Sequence, residues 1–362
     1  MIEQLRETWN AVRKAEARLV QTGVRLRPKD APDLREGLQI APDLQQVFAR
    51  TVYGFDPKRI RAQDYLVRYP FSSVNAIELQ LRALVDAGVF TGPHGDAYAV
   101  TDEAEAHFRL HTERVGESVD RLDLGDIGEE QVRKLLAYDH RILDGIRQSV
   151  KTDPSPIFEH RLKGLRLEYD PPRRWHHWQL AWTMVAAHED AEERIRVARG
   201  IEPLVWFARH ELWFTARCPH RARMRSCADL ARVAERYAPL EDAETDCRTA
   251  IETMRQRGRI EGQGDACRLT EQELERADRD EAEIEELFFA RWPGFMDAEL
   301  VETREISEAI SRRCEELVAR AVDSSWPKGG LGGARCERRS GCWFSPSPCL
   351  LCRAVWEGRR RR

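Results

Sequence analysis

The sequence predicts a mainly α fold in which one small helix-and-hairpin unit occurs twice, on either side of a helical spacer. Three observations predict it. Residues 75–103 and 245–272 repeat one pattern: Gly88 matches Gly258, Gly95-Asp96 matches Gly264-Asp265, and Val100-Thr101 matches Leu269-Thr270, with a single one-residue gap. Apolar residues recur at helical spacing through most of the remaining chain. The composition, 42% hydrophobic and 33% charged over 362 residues, suits a helix-rich chain long enough for two or three domains.

Taken in order, Leu5, Trp9, Val12 and Leu19 define a lead helix over 2–22. A loop-like stretch follows, with a local echo, Ala31-Pro32-Asp33-Leu34 and Ala41-Pro42-Asp43-Leu44, each with Pro near a first helical turn. Helices are expected at 41–52 and 57–68, the second stopped by Tyr69-Pro70-Phe71. Ser72 or Ser73 caps a helix through Ala87, whose Val74, Ile77, Leu81, Leu84 and Val85 are expected to share a face, and Gly88 supplies a left-handed stop. Val89-Phe90 and Tyr98-Ala99-Val100 then read as a hairpin around Gly92–Asp96. Helix, glycine stop, strand, Gly-rich turn, strand and a Thr-led helix is the order of a winged helix-turn-helix.

The rest of the chain is read as helices with punctuation. Residues 101–150 break near Gly125–Gly128, and Pro154, Pro156, Pro171 and Pro172 mark the expected hinge. Residues 173–214 form two helices parted at Gly200–Pro203, and 281–322 form a last helical stretch broken at Trp292-Pro293-Gly294. The expected organisation is N-terminal helices (1–50), a first winged unit (51–120), a Trp/His-rich helical spacer (121–214), a second winged unit (215–280), C-terminal helices (281–325) and an Arg/Cys/Gly-rich tail (326–362) without a packed core.

Charge is unevenly distributed. The net −4 hides a tail of nine basic and two acidic residues, which leaves about −11 on residues 1–325. No apolar run approaches the ~18–20 residues that span a bilayer, and residues 1–6 lack an apolar signal core, so a cytoplasmic chain is expected. Nine cysteines, an odd number, suggest thiols rather than a disulfide framework.

Each unit resembles a MarR-type winged helix in its Leu-x-x-x-Gly helix end (Met-x-x-x-Gly in the second copy), hydrophobic strand, wing and aliphatic-Thr pair. The resemblance implies that helices 73–87 and 243–257 are laid in the major groove of DNA, with wings and helix N-termini on phosphates. The segments Thr51–Pro57, His177–Thr183, Leu269-Thr270 and Arg291-Trp292-Pro293 are similar, in order, to the SalK-like helix-turn-helix family of actinobacteria. That likeness implies an architecture and no particular activity. Ala104 and Glu273 stand where the MarR pattern has Gly, and the two wings hold only His94 as a basic group.

The function expected from these features is a DNA-binding transcriptional regulator responsive to a small molecule. Arg248, Arg255, Arg257 and Arg259 are its expected DNA contacts in the second copy, and Arg82, Ser73 and Asn75 in the first. Two joined copies imitate a symmetric dimer, so one chain spans two half-sites or pairs as a homodimer. This reading requires Arg248 and Arg255 to face outward and not be tied to carboxylates. The effector pocket is expected from Trp178 and Trp182 on one helix and Trp206, His210 and Trp213 on the next, as flat apolar walls with a polar handle. The same stripe also reads as core.

The competing readings are a small-molecule-binding or metal-dependent enzyme that keeps the units as scaffold, and a pure interaction module. His107 and His111 share a helical face with Glu103, and His140 or His188 would complete a zinc set. Cys218-x-His220-x6-Cys227 lacks an accepted finger spacing, and Cys336, Cys342, Cys349 and Cys352 of the tail hold a single C-x-x-C with irregular other gaps, the alternative there being a small zinc knuckle. No metal or other cofactor is assigned. Phosphate-loop, dinucleotide, His-Glu-x-x-His and Gly-x-Ser-x-Gly motifs do not occur.

Overall fold

The repeat in the sequence returns as a repeat of backbone hydrogen bonds. The computed structural model describes residues 2–26, 38, 40, 42–164, 173–217, 225–237, 239–262 and 265–325, and among these the chain is mainly helical with five short antiparallel strands. The first repeat contains α2 (Pro42–Gly54), β1 (Ile60–Arg61), α3 (Ala62–Arg68), α4 (Val74–Asp86), β2 (Phe90–His94), β3 (Ala97–Val100) and α5 (Asp102–Asp120). They are preceded by α1 (Ile2–Arg25). Strand order is β1-β3-β2.

Helix α4 forms as its sequence dictates. The Ser73 hydroxyl accepts from the Ala76 amide, and Ile77, Leu81 and Leu84 are buried on one face. Gly88 ends it at φ 75°; a Cβ there would meet nothing within 4 Å, so conformation rather than space calls for glycine. The expected helix over 57–68 is only half present. Ile60 pairs with Tyr98 as a strand instead, because its β-branched side chain fills the fully buried inner side of the sheet. The helix starts at Ala62, where the Asp64 carboxylate accepts from the Arg61 amide at 2.9 Å.

Further along lie α6 (Glu129–Ser149), α7 (Pro156–Lys163), α8 (Arg174–Ala198) and α9 (Pro203–Arg217). The second repeat continues with α10 (Cys227–Tyr237), α11 (Ala243–Gln256), β4 (Ile260–Glu261), β5 (Arg268–Leu269) and α12 (Glu271–Phe289). Several of its bonds repeat those of the first copy. Gly88 N–H donates to Val85 O and Gly258 N–H to Arg255 O, both at 2.9 Å. Thr101 N–H reaches Val89 O at 3.1 Å, and Thr270 N–H reaches Arg259 O at 3.0 Å. Ile60 faces Tyr98 as Arg225 faces Cys267. Thr101 and Thr270 cap the following helices by accepting from Ala104 and Glu273 amides.

The two copies are buried differently. The first has its own core, with Phe48, Phe55, Tyr65, Ile77, Phe90 and Phe108 at its centre. The core of the second is continuous with that of the central helices α1, α6 and α8. Helix α9, which the sequence reading divides at 214/215, runs to Arg217 and packs against α11 and β5. Helix α13 (Asp297–Ser325) runs parallel to α1: Thr8 Oγ1 donates to Leu300 O at 3.2 Å, and Arg18 pairs with Glu315 at 3.2 Å.

The expected hinge at Pro154 and Pro156 is pinned. Asp190 of α8 accepts from Ser155 Oγ at 2.6 Å and from the Ile157 and Phe158 amides at 2.9 Å, capping α7 in trans. Pro171, Pro172, the Ala31–Leu34 echo, Cys218, His220, Gly264 and the tail from Trp326 lie outside the described residues.

Candidate functional site

The two helices expected to read DNA begin beside each other. Ser73 N–H donates to Pro239 O at 3.1 Å, Ser73 Oγ donates to Glu241 Oε1 at 2.7 Å, and Asn75 Nδ2 donates to the same oxygen at 3.1 Å. Ser73 and Asn75 are therefore held by the turn leading into α11. The first turns of α4 and α11 lie side by side, not the ~34 Å apart that successive half-sites require. Glu241, Asp242 and Glu244 are exposed at this junction, with Asp246 half-buried, so it is acidic.

The expected cationic contacts are mostly in ion pairs. Arg248 lies 3.0 Å from Glu244 and 3.6 Å from Asp265, and Arg255 lies 2.7 Å from Glu252. Arg82 pairs with Glu78 at 3.4 Å, and Tyr98 donates its hydroxyl to the same carboxylate. The condition set by the sequence, that Arg248 and Arg255 be outward and unpaired, is met only in its first half. Such exposed pairs are worth ~0–1 kcal/mol and exchange readily, but they leave the helix faces without net positive charge. Arg257 is exposed and Arg259 half-buried, and neither makes an ion pair among the described residues.

The spacer aromatics divide into two groups. On α8, Trp178 stacks on Trp175 with centroids 4.4 Å apart and meets Tyr53, while Trp182 lies under the Arg13 guanidinium. Both are core residues at 3% and 6% exposure, and neither lines the groove or the recess that the α9 rings line. On α9 the outcome differs. Trp206 and His210 line an open groove of about 120 Å³ together with Tyr69 and Phe71 of the α3–α4 turn and Glu189 and Glu192 of α8. Trp206, His210 and Trp213 also line an adjoining recess against α12, where His210 and Trp213 stack at 5.4 Å.

The groove lies where three parts of the chain meet: the α3–α4 turn of the first repeat, α8, and α9, which packs on α11 and β5 of the second repeat. Phe71 and Phe207 close its floor with ring centroids 5.0 Å apart. Trp206 Nε1 donates to Glu192 Oε1 at 2.8 Å, and His210 Nδ1 lies 3.5 Å from the same carboxylate. Burial raises Glu192 above the ordinary carboxylate range, with His210 and the Trp206 bond opposing it.

A second constellation, absent from the sequence reading, is sealed in the core. Arg13 pairs with Glu16 at 2.6 Å, and His177 Nδ1 is hydrogen-bonded to Asp139; these four residues are at most 4% exposed. Burial raises both Glu16 and Asp139, against the pull of Arg13 and His177. Burial alone would hold the His177 imidazole down, but Asp139, with Glu16 behind it, outweighs burial and raises it. His177 Nε2 has no hydrogen-bond partner. The arrangement ties α1, α6 and α8 together.

Among the described residues no three His, Cys, Asp or Glu side chains gather to hold a metal. His107 and His111 are half-buried, whereas His188 turns into the core against Phe288 at 5.3 Å. Among the described residues no helix is long and apolar enough to cross a membrane. No family model matches the chain, and comparison with curated proteins and with solved structures gives no match either.

Proposed function

We propose that this chain is a small-molecule-binding protein in which two winged helix-turn-helix units are docked on each other and the groove between them is the ligand site. The observation that carries the reading is the composition of that groove, with walls from the α3–α4 turn of the first unit, from α8 and from α9, the helix that packs on α11 and β5 of the second unit. Concave sites with several rings and a few convergent polar groups at a junction of units are the usual setting for small ligands. Occupancy would bear directly on the Phe71–Phe207 contact, so a ligand that prefers one arrangement of the units would shift their equilibrium. The test is saturation-transfer NMR with single-ring fragments on the full chain and on Trp206→Ala. Binding that is lost in the variant supports the reading; equal signals on both proteins, or none on either, defeat it.

A second reading is favoured by Arg257 and Arg259. These two side chains, outside ion pairs at the end of α11, suit phosphate contact by the second unit alone, with the groove as effector site. Under it the chain is a ligand-responsive DNA-binding regulator. A fluorescence-anisotropy titration of DNA at two salt concentrations tests it, since phosphate contacts must appear as salt dependence.

A further inference from the structure

The groove also specifies the charge of its occupant, an extension that rests on the ligand-site reading above. Four carboxylates line it, from Glu189, Glu192, Glu193 and Glu211, against the guanidinium groups of Arg68 and Arg196. Both arginines are committed. Arg68 lies 3.0 Å from Glu189, while Arg196 donates to Glu193 at 2.7 Å and to Ile201 O at 2.6 Å. Glu211 faces Arg225 at 3.9 Å, which leaves Glu192 with an indole N–H and an imidazole as its neighbours.

We infer that the groove takes a small organic ammonium ion carrying one apolar ring, with Glu192 as counter-ion and Tyr69, Phe71 and Trp206 as ring walls. Three independent features converge on that class. A carboxylate held three-quarters out of water is stabilised by an incoming cation, as the upward push of burial on Glu192 shows. Aromatic faces attract cations and also cover an apolar body, so one set of walls serves both ends of such a ligand. The Tyr69 hydroxyl, on a wall residue only 5% exposed, has no hydrogen-bond partner and stands ready for a polar group. Size agrees as well. A cavity of ~150 Å³ holds benzene, so about 120 Å³ in an open groove takes one ring with its polar end toward the mouth.

The experiment titrates the full chain with benzylammonium, benzyl alcohol and benzoate by calorimetry, three probes that share a ring and differ in charge. Benzylammonium is expected to bind at least tenfold more tightly than benzyl alcohol, with benzoate weakest. Glu192→Gln keeps an acceptor for Trp206 and is expected to abolish the tenfold preference of benzylammonium over benzyl alcohol. If benzyl alcohol binds the wild-type chain as tightly as benzylammonium, and Trp206→Ala removes both, the charge assignment is wrong and the ligand-site reading survives. If no probe binds at millimolar concentration, both are wrong. The wild-type comparison decides the matter whether or not the Gln variant folds.

Discussion

Ser73 and Glu241, 168 positions apart, share a 2.7 Å hydrogen bond that joins the start of α4 to the approach of α11. Ser73 thereby does two things: its oxygen caps its own helix and its hydrogen holds the other repeat. Bonds from Ser73 and Asn75 hold Glu241 below the usual carboxylate range. Glu241→Ala removes the acceptor of both. Hydrogen exchange is expected to quicken at the amides of 73–76 and 239–242 while the core of α8 stays protected; unchanged exchange would show that the Phe71–Phe207 contact suffices to dock the units.

The buried His177–Asp139 pair is expected to be costly to break. Asp139→Ala leaves an imidazole in the core without its acceptor, which typically costs ~3–5 kcal/mol. Replacing both by residues of similar volume, His177→Phe with Asp139→Leu, is expected to recover much of that loss. Denaturant midpoints of the single and double variants measure it, and a double variant as unstable as the single would mean the pair contributes more than mutual compensation.

Asp190 gives a pH prediction whose sign runs against the usual carboxylate. Burial pushes it up to about 6, although Ser155, Ile157 and Phe158 all donate to it. A pKa raised on folding means that the folded chain takes up the proton first. The contribution of this group is therefore fully present below its unfolded value near 4 and is lost as pH rises through about 6. Between pH 4 and pH 7 it is expected to change stability by ~2 kcal/mol. Asp102, Asp153 and Asp229, held below their ordinary range, act only at still lower pH, and there in the opposite direction. Chemical denaturation at pH 5 and pH 7 of wild type and Asp190→Asn isolates the effect, because the variant lacks the titrating group; an equal difference in both proteins refutes it.

For the nucleic-acid reading, the arginines separate by their partners. Arg257→Ala with Arg259→Ala is expected to flatten the slope of log K against log salt by ~1 for each phosphate left without its cation. Arg248→Ala with Arg255→Ala is expected to change it less, since each charge is already shared with Glu244, Asp265 or Glu252. Comparing both variants with the full chain cancels the contribution of the basic tail. The reverse ranking would restore Arg248 and Arg255 as the principal contacts.

What the sequence makes legible here is local, and what it hides is long-range. Helix α4, its Ser73 cap and its Gly88 stop follow from neighbours within one or two turns, and so does their recurrence at Asp242 and Gly258. Strand β1 is hidden because Ile60 sits in a helix-compatible run and owes its conformation to Tyr98, 38 residues on. The aromatic stripe on α8 and α9 shows a similar limit. Helical spacing groups Trp178 with Trp182, and Trp206 with His210 and Trp213, but says nothing about which group turns inward. Glu192, four turns beyond Trp178 on α8, and Tyr69, in a stretch that reads as a helix stop, give no signal until folding brings them to one groove. The only sequence signal near the His177–Asp139 pair is a His among three Trp residues, Trp175, Trp178 and Trp182.

The parallel pairing of α1 with α13 bears on the order in which the chain matures during synthesis. Thr8 and Trp9 are made about 280 residues before their partners, since Trp9 rests on Phe288 and Trp292, and Thr8 on Leu300. The first repeat, with a self-contained core, is able to settle early. The helix over 2–25 can meet α5 and α8 as soon as they emerge, but the side that carries Trp9 stays uncovered until residues 288–300 have been made, and that interval is when nascent-chain chaperones have most to shield.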